Sequence, residues 1–116
     1  MFDPANFVHG GHDVNEAFEL LRGRIEYFHI KDCVAATKKI VPAGFGDGNI
    51  KNILNAYEKD FGARETFLSV EPHLKVFGGY AALEKGERSV KEDDFTYESN
   101  EAAFNAACGA LWYLLQ

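Results

Sequence analysis

The chain has 116 residues, 47% of them hydrophobic and 14% aromatic, a size and composition suited to one globular core that removes roughly 60–70% of the unfolded surface from water. Its 12 basic and 18 acidic residues leave a net charge of −6, which repels a phosphate backbone and argues against nucleic acid as a partner. Cys33 and Cys108 have no C-x-x-C spacing, and no secretory leader or long apolar span is visible, so a reduced, cytoplasmic protein with no membrane partner is expected, its thiols acting as packing residues.

The opening "MFDPANFVHGGHD" places Pro4, Asn6 and the Gly10–Gly11 pair close together, predicting a very short strand stub that ends near Asp3 and runs into a loop. From Asp13 the pattern turns helical: Asp13 and Glu16 have capping-box spacing, and Val14, Ala17, Phe18 and Leu21 recur with helical period as far as about Arg22. "IEYFHIKD" then alternates as a strand, with Ile25, Tyr27, His29 and Lys31 on one side of the pleat and Glu26, Phe28, Ile30 and Asp32 on the other. Both sides are largely apolar, as in a strand covered on two faces. "VPAGFGDGN" reads as a glycine-rich turn ahead of a helix capped by Asn49, carrying Ile50, Ile53, Leu54 and Tyr57 on one stripe and ended by Gly62.

In "ETFLSVEPH" a further strand is predicted, with Phe67, Ser69 and Glu71 sharing one side before Pro72 closes the ladder. The charged stretch "EKGERSVKEDDFTYESN" has no clear period and reads as a solvated surface loop or a weak helix. Ser99 or Asn100 then caps a closing helix with Ala103, Phe104, Ala107, Cys108, Leu111 and Trp112 on its apolar stripe.

Strands alternating with helices of this length make parallel βαβ units, whose functional groups gather beyond the carboxyl ends of the strands. Asp3, His29 and Glu71 are the ionisable residues at those ends, and an Asp/His/Glu set suits a divalent cation such as Mn²⁺, Zn²⁺ or Mg²⁺. Desolvating such groups without a partner costs several kcal/mol, and a metal or a polar substrate supplies one. Each residue also has a plainer reading: His29 as a hydrogen-bonded structural group, Asp3 as a turn initiator beside Pro4, and Glu71 as the partner of Lys31 or Lys75.

The stretches "FDPANF", "FHIKD" followed by "VPAGFGDG", and "FLSVEPHL" resemble the last third of the sugar phosphate isomerase/epimerase proteins, the xylose-isomerase-like TIM barrels. The likeness runs from Phe2 to about Leu83, with the closing helix resembling the family's last barrel helix. It implies an α/β fold made of three parallel βα units, the last strands of a (β/α)8 barrel. It also implies a divalent metal (Mn, Zn, Mg or Co) whose ligands include Asp3, His29 and Glu71, with Glu71 as the catalytic carboxylate. The chemistry implied is isomerisation or epimerisation of a small sugar or sugar phosphate through an enediolate-type proton transfer. Asn6 stands where some relatives carry a substrate-contacting His; it can bond a sugar hydroxyl but cannot shuttle a proton.

Lys31 shares the side of His29 and can contact substrate oxygens or make a rim salt bridge, and His73 reads as a loop residue or substrate contact. By parity Asp32 is a supporting or loop-capping group. His9 and His12 lie in a glycine loop and read as exposed, while "GFGDG" serves equally as a phosphate cradle or as a turn.

A complete barrel needs eight strands and about 250 residues, so residues 1–116 are expected to be the carboxyl-terminal portion, with the family's first metal-binding Glu and about the first five strands upstream of Met1. Uncovered strand edges and apolar faces favour association, and a homo-oligomer is expected. The contrasting functional class is an inactive fragment or assembly module that retains the metal-site residues. A multinuclear zinc endonuclease on the same barrel would need more histidines and carboxylates than this chain supplies, whereas related dehydratases use the same metal and are left open by the sequence.

Overall fold

A computed structural model describes residues 1–76 and 95–116 of the chain. Most of the charged stretch over 84–100 therefore lies outside the described residues, as does the end of the family-like segment near Leu83.

Phe2 is the stub. It forms a parallel bridge to Phe28, its N–H donating to the Tyr27 carbonyl at 2.9 Å and its own carbonyl accepting from the His29 N–H at 3.0 Å. The expected loop after it is instead helix α1, Pro4–His9. Pro4 at the first turn is preset for helical φ, and Asp3 caps the turn by accepting from the Asn6 N–H at 3.2 Å. Helix α2, Val14–Leu21, follows with Asp13 accepting from the N–H groups of Asn15 and Glu16, then a 3-10 turn over Arg22–Arg24. In that turn Arg22 pairs with Glu19 and with Asp60.

Strand β1 is Tyr27–Ile30, shorter than "IEYFHIKD" suggested. The chain then enters a hairpin that alternation did not reveal: β2, Asp32–Val34, pairs antiparallel with β3, Lys39–Val41, placing Asp32 opposite Val41 and Cys33 opposite Ile40. Lys38 closes the turn with φ 62°, a left-handed conformation uncommon for a side chain of its kind.

Helix α3, Ile50–Phe61, buries Ile50, Ile53 and Tyr57 as its period requires. Asn49 precedes it but does not cap it. At φ 52° its side chain turns away, donating to Asn15 Oδ1 at 2.6 Å and accepting from Asn52 Nδ2 at 2.8 Å. Strand β4, Phe67–Val70, lies parallel to β1 with Tyr27 opposite Phe67 and His29 opposite Ser69. β5, Lys75–Val76, pairs in parallel with β6, Thr96–Tyr97, so this part of the expected loop is a strand.

The last helix, α4, Asn100–Leu114, is capped by Ser99, which accepts from the Ala102 N–H at 3.1 Å. Its buried line is Ala103, Ala107 and Leu111, while Phe104 and Trp112 of the expected stripe are exposed, at 49% and 70%. Small residues let the helix approach the strands closely, so the bulky rings one position further round are turned outward.

The architecture is mixed α/β, and its parallel pair β1 and β4 is extended on the β1 side by the Phe2 bridge. One face of these strands is packed. Phe2 meets Phe28 and Phe18 edge-on at 5.9 Å each, Phe28 meets Tyr57 at 5.1 Å, and Ile25, Ile30, Ile50 and Ile53 fill the same cluster. Tyr57 also donates its hydroxyl to the Ile25 carbonyl at 3.1 Å. The opposite face, with Tyr27 and Phe67 exposed and His29 half-buried, remains open. Covering on both faces, expected from the apolar residues of "IEYFHIKD", is therefore not what the described residues make.

The segment after β3 is organised by one carboxylate. Asp32 is fully buried; its Oδ1 accepts from the N–H groups of Cys33 (2.9 Å) and Gly48 (2.8 Å), and its Oδ2 from those of Gly44 (3.0 Å) and Gly46 (3.1 Å). Burial pushes its acid strength down, raising the pKa, while the four N–H donors pull the other way. A Cβ on Gly46 or on Gly48 would lie 2.6 Å from Asp32 Oδ1, so this approach admits only glycine. The amides of "GFGDG" are thus spent on an internal carboxylate, which removes the phosphate-cradle reading and supports the loop-capping one.

Asp32→Ala leaves four N–H donors without their acceptor and should cost about 3 kcal/mol or more of folding stability, read from urea unfolding. An unchanged midpoint would show that the loop does not depend on this group.

Candidate functional site

Strand parity and the parallel register together place the candidate residues. On β1, Phe28 and Ile30 face the packed side, so His29 faces the open side, and Lys31, one step beyond the strand, follows it. Glu71 continues β4 by one residue, its N–H donating to the Ile30 carbonyl at 3.1 Å, and so projects beside Lys31. Asp3 directly follows Phe2 on the other side of β1 and is aimed by its own helix: the Asn6 N–H holds Oδ1, which leaves Oδ2 facing Lys31.

Asp3, His29 and Glu71 each present one potential ligand atom, and these atoms lie within 4.8 Å of one another. Among the described residues this is the one group of three His, Cys, Asp or Glu side chains so placed. Lys31 stands between the two carboxylates, with Nζ 3.0 Å from Asp3 Oδ2 and 2.7 Å from Glu71 Oε2. His29 Nδ1 lies 3.1 Å from the same Glu71 Oε2, and His73 Nε2 lies 3.3 Å from Glu71 Oε1. Glu71 is therefore the hub, with one oxygen shared by His29 and Lys31 and the other turned to His73.

Burial is uneven. Asp3 and Lys31 are 3% and 7% exposed, whereas Glu71 and His29 retain 29% and 27%. Asp3 Oδ2 is buried, and the charge it faces is the Lys31 ammonium at 3.0 Å. Burial alone would lower the Lys31 pKa, but the Glu71 and Asp3 carboxylates outweigh it and hold the ammonium above its ordinary value of 10.5. For Glu71, the Lys31 hydrogen bond is the main cause of a pKa below the ordinary 4.5, working against partial burial.

The remaining sequence candidates sit as follows. Asn6 lies on α1 with its side chain exposed, and its contact with the group is the backbone N–H to Asp3. His73 is exposed at the rim with φ 39°, an unusual conformation for a histidine. Asp32 points into the glycine loop and away from the group. His9 and His12 are both exposed and belong to no ligand set of three among the described residues.

Sequence reasoning underrated two features. Lys31 is buried between the two carboxylates, where a rim ion pair was one alternative; the signal available was its parity with His29 opposite the end of β4. Asp3 is a helix cap, and the Asp-Pro pair followed by a short helical run was the signal for it.

Compared with known proteins, the chain matches no family model, no curated protein and no solved structure. Among the described residues, no helix is long and apolar enough to cross a membrane.

The Glu71 shift has a defined sign. Because its folded pKa is depressed, its ion pairing stabilises the fold above pH 4.5 and that contribution is lost as pH falls through the lower folded value. Thermal melts should show the stability advantage of wild type over Glu71→Gln shrinking steadily below pH 4.5; an advantage independent of pH would refute the assignment.

Proposed function

We propose that this chain is the carboxyl-terminal portion of a xylose-isomerase-like barrel and that Asp3, His29 and Glu71 hold a divalent metal for an isomerase or epimerase acting on a small sugar or sugar phosphate. The observation that carries the reading is the convergence of these three side chains, two carboxylates and an imidazole, within 4.8 Å beyond adjacent parallel backbone segments. The stretches "FDPANF", "FHIKD" and "FLSVEPHL", whose resemblance suggested the family, contribute one member of the group each.

The donors, two carboxylates and an imidazole, suit a small divalent ion, and the buried Asp3 Oδ2 already faces positive charge, the Lys31 ammonium. When bound, such an ion polarises the oxygens of an aldose or ketose and makes the adjoining C–H more acidic. The chain's own residues supply the rest. Glu71 would take and return a proton, the Lys31 hydrogen bond favouring its ionised form. Lys31 and His73, both within reach of Glu71, are the donors nearest to a substrate oxygen at that point, and Asn6 on α1 offers an amide further out. A metal-dependent dehydratase would use the same group.

Calorimetry with Mn²⁺ or Co²⁺ should show one ion per site. His29→Ala should weaken binding by more than the roughly 10–100-fold that loss of a mere supporting group costs. No uptake by the wild-type chain would defeat the proposal.

A second reading, a non-catalytic assembly module, draws on the open strand face, where Phe67 is 79% exposed directly opposite the exposed Tyr27 in the ladder. Under both readings this apolar face favours self-association into a homo-oligomer. Light scattering at micromolar concentration should then report a species larger than a monomer, and a monodisperse monomer would remove the assembly reading.

A further inference from the structure

We infer that the Lys31 ammonium is a resident cation of this site, holding the place of the divalent ion until the ion displaces it. The inference rests on the metal reading above and concerns how the site is filled and emptied.

The argument begins with which oxygens are available. Asp3 Oδ1 is committed to the Asn6 N–H, and Glu71 Oε1 faces His73 Nε2 at 3.3 Å. The two oxygens left to face a common cation are Asp3 Oδ2 and Glu71 Oε2, and these are the two that Lys31 Nζ approaches, at 3.0 and 2.7 Å. Glu71 Oε2 is also the oxygen 3.1 Å from His29 Nδ1, so the Glu71 oxygen nearest His29, the one an ion between the two residues would draw on, is the oxygen that Lys31 already holds.

An ammonium and a divalent ion sharing both oxygens would lie within a few ångströms of each other in a largely desolvated setting, where like charges repel by several kcal/mol. One must leave. Lys31 can, because its charge rides on a flexible four-carbon stem, whereas His29 and Asp3 are fixed by a strand and a helix cap.

Two consequences follow. Without metal, Lys31 neutralises the repulsion between two adjacent carboxylates, one of them buried, so the chain keeps its strand ends together when the ion is absent. With metal, the displaced ammonium remains tethered two residues from His29 and becomes a mobile donor beside the ion. The site therefore exchanges one cation for another, and the ion's affinity carries the cost of evicting Lys31.

The test compares the wild-type chain, Lys31→Met and Lys31→Arg by calorimetry with Co²⁺ and by thermal melting. Lys31→Met should bind Co²⁺ about tenfold or more tightly than wild type, melt lower without metal and gain more from added metal, while Lys31→Arg should bind no more tightly than wild type. Equal or weaker binding by Lys31→Met, with Co²⁺ still bound by wild type, overturns the inference and leaves the metal reading standing. No binding by any of the three removes the metal reading and this inference together.

Should Lys31→Met fail to fold, nitrogen-15 NMR of the wild-type Lys31 Nζ decides. Its ammonium signal should be protected from solvent exchange in the metal-free chain and lose that protection on saturation with Zn²⁺. A signal unmoved by bound Zn²⁺ overturns the inference.

Discussion

Two carboxylates cannot both stay ionised side by side, one of them out of water, at low cost unless positive charge stands between them. Asp3 and Glu71 are in that position, and the repulsion between two such charges is about 4 kcal/mol at an effective dielectric near 20. Lys31 meets the requirement from the chain itself, and much else about this end of the molecule follows from the need to keep that ammonium in place. Ion pairs of this kind are weak evidence for stability, because desolvating the charges offsets most of the attraction.

The backbone that meets the constraint is economical in residues. A single bridge at Phe2, four residues of β1 and four of β4 bring together side chains from positions 3, 29, 31 and 71. Phe28 and Ile30 anchor the strand in the aromatic and aliphatic cluster, and because alternate residues leave a strand on opposite faces, the same anchoring turns His29 and Lys31 the other way. A slip of one residue between β1 and β4 would bury the polar face and expose the core face, so the packed side fixes the geometry of the side that carries Asp3, His29, Lys31 and Glu71.

Much of this was legible in the sequence. The period of Val14, Ala17 and Phe18 marked α2, that of Ile50, Ile53 and Tyr57 marked α3, and the alternation of "YFHI" and "FLSV" marked the parallel pair. From these the gathering of Asp3, His29 and Glu71 could be anticipated, since parallel strands end together. What escaped was set by contacts remote in sequence or by conformations that residue type does not announce. The hairpin over 32–41 depends on a left-handed Lys38. Asn49 resembled a cap, yet its backbone is left-handed and its amide serves Asn15. On α4 the periodic stripe included Phe104 and Trp112, but the line that is buried runs one position away, through Ala103, Ala107 and Leu111. The glycines of "GFGDG" gave no hint of their acceptor, a carboxylate more than ten residues earlier.

That acceptor also bears on how the molecule is wired. Lys31 and Asp32 are consecutive on an extended stretch of backbone, so one side chain points at the paired acids while its neighbour is clasped by three loop amides and the N–H of Cys33. The peptide joining them is common to both arrangements, and a torque on one is felt by the other. Loosening the glycine loop would free the rotation that aims the ammonium, and expelling the ammonium would tug on the loop's central clasp. A segment with no charged side chain of its own against the acids is thereby geared to them through a single amide plane.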